Sequence, residues 1–146
     1  MRMLAVAMLL GACEGGPLVD RREVDPSGLL PRHGVLYHGY WMRGDYRVVV
    51  DFDTRELVLD EHSEGAPDHS VKRTLTAEQV EWLRPLAQAA VYEAPGGEEP
   101  RITDVGAVLV VLAGNLGFQA SGTAFGMEGW RVRGGELVKA IAALAQ

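Results

Sequence analysis

The sequence feature that most constrains the fold is a short apolar run that ends at the chain's only cysteine. Met1-Arg2-Met3 carries one positive charge, residues 4–10 are wholly apolar, and Gly11 and Ala12 precede Cys13. A charged start, an apolar stretch and small residues are typical of a secretory signal. The run is much shorter than the roughly 20 residues of a transmembrane helix. Without a second cysteine for a disulfide, the exported part must be held together by its apolar core.

Leu10-Gly11-Ala12-Cys13 resembles the lipobox of bacterial lipoproteins. In that family the cysteine thiol is diacylated, the peptide is cut before the cysteine, and the new amino terminus is usually acylated. The resemblance implies that residues 1–12 are a lipoprotein signal peptide and that lipidated Cys13 begins the mature protein. Two or three acyl chains give stable membrane attachment, whereas one is marginal. Glu14 is not the aspartate that retains lipoproteins in the inner membrane of enteric bacteria, so the resemblance indicates the outer membrane, facing the periplasm.

The charge of the chain argues against two kinds of partner. Removal of residues 1–12 takes away one of 14 Lys and Arg, which leaves 13 basic against 20 acidic residues, a net charge near −7. An acidic chain without a basic cluster does not favour nucleic acid, whose affinity depends on neutralising phosphates. It also does not favour electrostatic attachment to anionic lipid. We therefore expect lipidated Cys13 to attach the protein to the membrane, and we expect no nucleic-acid partner.

Residues 13–33 are predicted to be a flexible tether, and residues 34–146 a single domain. The tether contains Gly15-Gly16-Pro17 and Asp25-Pro26-Ser27-Gly28, and it has no apolar periodicity. A flexible run of about 18 residues has a root-mean-square reach on the order of 20–25 Å. We therefore expect the domain to stand clear of the lipid headgroups and to rotate freely.

The pattern of the domain predicts an α+β fold: an antiparallel sheet with two helices packed on one side, in two sheet-then-helix halves. The first half begins with a strand over residues 35–42. The clearest alternation follows over residues 46–53, with one apolar and one wet face. A return strand over residues 57–59, a polar loop over 61–70 and a short edge strand over 71–74 complete this part of the sheet.

The first predicted helix ends that half. Thr76 and Gln79 form a capping-box pattern, in which each side chain satisfies a backbone amide of the other residue. An apolar stripe continues to about Tyr92. Pro85 lacks the amide that would bond the carbonyl of Glu81, so we expect a kink or two abutting helical pieces.

The second half repeats the order of strands and helix. Residues 102–113 contain a continuous apolar run that is typical of a central strand. Gly114-Asn115 is a hairpin signal, and residues 118–123 alternate on the return strand. Residues 130–133 predict a further short strand, and residues 136–146 predict the final helix.

Possible metal ligands are densest between residues 61 and 69. Imidazole and carboxylate groups suit Zn²⁺, so His62, Asp68 and His69 are the candidate ligands. The spacing His-x-x-x-His is absent, and Gly65-Ala66-Pro67 is ordinary turn chemistry. A solvated acidic loop is therefore the favoured interpretation, and we predict no cofactor.

The sequence contains no complete catalytic motif. Ser121 lacks a Gly-x-Ser-x-Gly elbow. All the histidines lie in the first half of the chain, so a base could reach Ser121 only through the fold. Asp51 and Asp53 share the wet face of a strand, where a solvated surface is the ordinary explanation. We therefore predict that the domain is not an enzyme.

Tyr40 and Trp41 are the candidate binding residues, because they end a predicted strand and interface hot spots favour Tyr and Trp. Residues 46–146 diffusely resemble small uncharacterised α+β bacterial lipoprotein domains, and this resemblance brings no catalytic motif. The sequence thus predicts a membrane-anchored envelope lipoprotein with a non-catalytic binding or scaffolding domain. Its partner would be an envelope protein or an envelope polymer.

Two alternatives stay open. The first is a small envelope metal-binding protein or enzyme that uses the His62/His69 loop. The second is an inhibitor of an envelope hydrolase, for which the loop Glu93 to Arg101 is the candidate contact segment.

Overall fold

The structure is a computed structural model that describes residues 18–92, 106–122 and 132–146. The predicted signal peptide, Cys13 and the loop from Glu93 to Arg101 lie outside these residues. Within them, the strands are β1 (Leu18–Asp20), β2 (His33–Trp41), β3 (Gly44–Asp51), β4 (Glu56–Ser63), β5 (His69–Thr74), β6 (Gly106–Ala113) and β7 (Leu116–Gly122). The helices are α1 (Arg21–Val24), α2 (Ala77–Tyr92) and α3 (Val132–Ala145).

The seven strands form one antiparallel sheet in the order β1-β7-β6-β2-β3-β4-β5. Strands β2 to β5 precede α2, and strands β6 and β7 precede α3. The predicted α+β class and the two sheet-then-helix halves are therefore confirmed. The second half joins the first where β6 pairs with β2, so the two halves share a continuous sheet.

One face of the sheet and the two long helices enclose the core. Val35 lies opposite both Val50 and Val111, and the same row continues to Leu57 and Phe118. All five side chains are buried. The helices add buried apolar residues to this cluster: Val80, Leu83, Ala87, Ala90 and Val91 from α2, and Leu137, Val138, Ala140, Ile141 and Ala145 from α3. Burial of each large apolar side chain contributes about 1.5–3 kcal/mol.

The predicted alternation in β3 and the predicted capping box are both present. Val48 and Val50 are fully buried, whereas Arg47 and Val49 on the other face are partly exposed. The Gln79 amide donates to Thr76 Oγ1 at 3.1 Å, and the Thr76 amide donates to Gln79 Oε1 at 2.8 Å. Helix α2 continues through Pro85 as one element, so of the two expected outcomes, a kink or two abutting helical pieces, the second is wrong.

The predicted flexible tether is wrong from residue 18 onward. Leu18–Asp20 pairs with β7 at the edge of the sheet, with Leu18 opposite Phe118. Helix α1 follows directly, and the side chain of Asp25 is buried. The tether was predicted because this segment has no apolar periodicity. Its order depends instead on backbone pairing and on a buried ion pair, neither of which produces a periodic pattern.

Two other predicted boundaries are corrected. The predicted polar loop over residues 61–70 is confined to residues 64–68, because β4 continues to Ser63 and β5 begins at His69. This exposed hairpin is held by backbone pairing, so its polar side chains give no apolar alternation. Val132 begins α3 and not a short strand, and Gly134 and Gly135 lie buried inside this helix. Tertiary packing there outweighs the low helix propensity of glycine.

Helix α1 lies on the face of the sheet opposite the two long helices. A Cβ atom at Gly117 of β7 would overlap the side chain of Val24, so the glycine is what allows α1 to approach the strand. Leu112, the partner of Gly117 on β6, is buried on this same face. Among the described residues, none of the helices combines the length and apolar character needed to cross a membrane.

Candidate binding site

A cleft of about 390 Å³ lies between α2 and the end of the sheet that carries the β6–β7 turn. Strands β1, β6 and β7 contribute Leu18, Val111 and Leu116 to its lining, Phe52 follows the end of β3, and α2 contributes Ala87 and Val91. These residues come from five separate parts of the chain, and all of them are apolar. The volume falls within the range of about 300–1,000 Å³ that is typical of sites for small ligands.

Small side chains leave this space open. Ala87 stands on the stripe of α2 that faces the sheet, and Ala113 ends β6 at the same end of the molecule. Leucine or phenylalanine at Ala87 would project directly into the cleft. Ala87 belongs to the apolar stripe that the sequence predicts for this helix, but no pattern in the sequence indicates that the space beside Ala87 is unfilled.

Three polar residues also line the cleft: His33, Arg84 and Gln88. The guanidinium carbon of Arg84 lies 5.2 Å from the centroid of the Phe52 ring, and its Nε donates to Glu81 Oε1 at 3.1 Å. His33 Nδ1 lies 2.8 Å from Asp53 Oδ2. The cleft therefore combines an apolar interior with one permanently cationic group.

Two histidine–aspartate pairs lie at the opposite end of the sheet, on the face away from the core. His38 Nε2 lies 3.0 Å from Asp45 Oδ2, and His62 Nδ1 lies 2.6 Å from Asp68 Oδ1. Asp45 and His62 are cross-strand partners and so share this face. The hydrogen bond that His62 makes to the Asp68 carboxylate raises the pKa of His62, and the negative charges of Asp68, Asp45 and Glu64 act in the same direction.

The three predicted metal ligands do not converge. The structure brings His62 and Asp68 together, but His69 lies opposite Glu61, on the other face of the sheet from His62. Side chains of successive strand residues point to opposite faces, so His62 and the row of Glu61 and His69 diverge. Among the described residues, no group of three His, Cys, Asp or Glu side chains is placed to hold a metal ion.

The predicted binding residues Tyr40 and Trp41 also lie on opposite faces. The Tyr40 ring covers Gly106 of β6, where a Cβ atom would meet its hydroxyl group. Trp41 is 39% exposed beside Met42, which is 78% exposed in the β2–β3 turn. The adjacent sequence positions therefore do not form one aromatic patch.

The polar residues considered for catalysis have structural partners or lie apart. Ser121 and His38 occupy one cross-strand row, but Val108 stands between them. Two strand spacings, about 10 Å, thus separate their backbones. The His38 side chain is instead hydrogen-bonded to Asp45 of β3, on the side of β2 away from β6 and β7. Asp51 Oδ1 accepts from two backbone amides of the β3–β4 turn.

Comparisons with models of protein families, with curated proteins and with solved structures gave no match for this chain. Within the described residues, the cleft beside α2 unites apolar side chains that are far apart in sequence around a space of ligand size. It is the feature on which we base the functional assignment.

Proposed function

We propose that this protein is a lipid-anchored envelope protein whose domain binds an apolar chain in the cleft beside α2, without catalysing a reaction. The anchor part of the proposal is supported by the lipobox resemblance at Leu10-Gly11-Ala12-Cys13. The binding part is supported by one observation, the cleft of about 390 Å³ whose interior is lined by apolar side chains.

The ligand we propose is an acyl chain that ends in an anionic group. Each CH₂ transferred from water into an apolar site contributes about 0.8 kcal/mol, so a saturated chain is a favourable occupant of the interior. Arg84 supplies a positive charge in the lining, and a carboxylate or phosphate can bind a guanidinium through two hydrogen bonds. A polar peptide would leave its backbone groups without partners in such an interior.

The position of the cleft also favours a ligand of this kind. Leu18 lines the cleft, and it follows Cys13 by five residues. In the lipidated protein the cleft is therefore near the bilayer, where molecules with acyl chains are concentrated.

Photocrosslinking tests the binding proposal in the lipidated full-length protein. A fatty acid with a diazirine in its chain is added to membranes that contain the protein, and adducts are located by mass spectrometry. We expect adducts in the α2 segment around Ala87 and Val91. Ala87→Phe, which fills the cleft, should reduce them at least fivefold. Ala77→Phe, at an exposed position of the same helix, should leave them unchanged. Equal labelling of both variants, or no labelling of the folded protein, would show that the cleft is not the site.

The anchor has a separate test. Cys13→Ser should abolish incorporation of labelled palmitate and release the protein from the membrane fraction. The matched variant Ser27→Ala, which keeps the cysteine, should remain membrane-bound. Retention of the Cys13→Ser protein in membranes, with unchanged mass, would overturn the lipoprotein assignment.

A further inference from the structure

We infer that one defined edge of the domain lies against the membrane surface and that Leu29 enters it. This anchored edge consists of β1, α1 and the turn over residues 26–29. The inference rests on the lipid anchor at Cys13 proposed above. It adds an interaction surface and an orientation, with the lipid headgroup region as the partner.

The chain between the lipid and the sheet is short. Only residues 14–17 separate Cys13 from Leu18, the first residue of β1. Five residues span at most about 18 Å, whatever conformation they adopt. The domain is therefore attached through a connector much shorter than the 18-residue tether expected from the sequence, which restricts how far the domain can move and turn relative to the membrane.

Strand β1 is firmly joined to the rest of the domain. Leu18 pairs with Phe118, and the Arg21 amide donates to the Asn115 carbonyl at 2.9 Å. The Arg21 side chain bonds Asp25 Oδ2 at 2.9 Å and the Leu30 carbonyl at 2.6 Å. A lipid attached at Cys13 consequently fixes the position of the whole sheet edge, and not only of a flexible end.

The side chain of Leu29 is exposed on this anchored edge. The turn forms around Gly28, whose φ of +65° favours glycine, and the Gly28 amide donates to the Asp25 carbonyl at 3.1 Å. Leu29 follows with 85% of its surface exposed, the largest value among the exposed large apolar side chains of the described residues. An apolar side chain held in water beside a lipid anchor gains by entering the interface.

Charge is unevenly distributed between the N-terminal segment of the domain and the rest of the chain. Residues 18–32 contain three basic and three acidic residues and so are neutral, whereas residues 33–146 contain 10 basic and 16 acidic residues. A membrane surface that contains anionic lipids repels negative charge. The neutral segment is thus the part of the domain that approaches such a surface at the lowest electrostatic cost.

The opposite edge of the sheet, at β5, should lie away from the membrane. Six strand spacings separate β1 from β5 in the strand order, which corresponds to about 29 Å at roughly 4.8 Å per spacing. This distance exceeds the length of the connector. Ala66, in the turn between β4 and β5, is exposed and should remain in water.

Depth measurements on the lipidated protein test the inference. Leu29→Cys and Ala66→Cys are each labelled with an environment-sensitive fluorophore and reconstituted into vesicles of phosphatidylcholine and phosphatidylglycerol. Because lipid blocks the thiol of Cys13, the introduced cysteine is the one that reacts. We expect blue-shifted emission at position 29 and at least twofold stronger quenching by nitroxide lipids there than at position 66. Equal quenching at the two positions in a lipidated, vesicle-bound protein would overturn the inference while leaving the anchor intact.

A variant with a longer connector tests whether the short connector is what orients the domain at the membrane. Insertion of about 20 Gly and Ser residues after Gly16 should keep the protein lipidated but reduce the difference between positions 29 and 66. An unchanged difference would show that the short connector does not orient the domain. If Cys13 instead reacts with the fluorophore and no lipid is found by mass, the anchor and the orientation both fail.

Discussion

The carboxylate of Asp25 is buried, 6% exposed as a residue, and accepts a hydrogen bond from Arg21 Nη2 at 2.9 Å. The same carboxylate accepts the Leu29 amide at 3.1 Å. Arg21 extends the network to the β6–β7 turn through the Gly114 carbonyl. This pair closes the loop between α1 and β2 and holds β1 against the sheet. It is the reason that a segment without apolar periodicity is ordered.

The ion pair of Arg21 and Asp25 should contribute measurably to stability. Asp25→Asn keeps the size of the side chain but removes its charge and one acceptor. A hydrogen bond to a charged group contributes about 1.5–3 kcal/mol, so we expect the free energy of unfolding to fall by about 2–3 kcal/mol in urea denaturation. Amide exchange at Leu29 and Leu30 should accelerate in the same variant.

Glu81→Gln is the matched control for that prediction. It makes the same chemical change in the exposed pair of Glu81 and Arg84, and exposed pairs contribute about 0–1 kcal/mol. If the two variants were equally stable, the buried pair would not be what holds the N-terminal segment.

The close approach of α1 to the sheet should make Gly117 intolerant of a side chain. In Gly117→Ala the new methyl group overlaps Val24, and overpacking of this kind costs about 1–3 kcal/mol. We expect a loss of that size in thermal or urea unfolding. Val24→Ala in the same chain removes the obstructing methyl groups and should recover at least half of it. No recovery would indicate that the glycine is required for another reason.

Replacement of Arg55, in the β3–β4 turn, by glycine should stabilise the protein. Arg55 has a φ of +62°, a conformation that costs a residue with a Cβ atom roughly 1–2 kcal/mol. Arg55→Gly should therefore raise the free energy of unfolding by about 0.5–1 kcal/mol. Arg73→Gly removes the same side chain from the exposed strand β5 and should lower it by about 0.5–1 kcal/mol. Destabilisation of both variants would contradict the argument from φ.

The pairing of His62 with Asp68 should be visible in a pH titration. Because Asp68 raises the pKa of His62 above its usual 6.5, the pair stabilises the fold fully below pH 6.5. That contribution is lost as the pH rises through the raised pKa. An NMR titration should place the His62 midpoint above 6.5, and Asp68→Asn should lower it. Asp53→Asn, which alters the distant His33 pair, should leave the His62 midpoint in place. A midpoint unaffected by Asp68→Asn would contradict the assignment.

Local patterns in the sequence were sufficient for most elements. The alternation over residues 46–53, the capping box at Thr76 and the turn at Gly114-Asn115 each describe contacts between near neighbours, and each is present. The predictions from sequence are wrong where contacts between distant segments determine the local structure. Residues 18–24 are ordered by β7 and by the β6–β7 turn, and residues 132–135 are helical although they include Gly134 and Gly135.

The candidate sites also depend on contacts between distant segments, and more strongly than the secondary structure does. Proximity in sequence placed His62 with His69 and Tyr40 with Trp41, yet strand alternation separates both pairs. Cross-strand register instead joins Asp45 to His62, 17 positions along the chain. The cleft brings Leu18, Ala87 and Leu116 together from three distant parts of the sequence. Its empty volume depends on how α2 packs on the sheet, which no local pattern encodes.

The sequence by itself therefore determined the class of fold, the order of strands β2 to β7 with the two long helices, and the apolar face of each long element, because these follow from residue periodicity and from local hydrogen bonds. Only the tertiary structure decided that β1 closes one edge of the sheet, that His62 and His69 diverge and that a cleft remains beside α2. Each of these depends on register and packing between distant segments, and those contacts leave no periodic signal in the residues that make them.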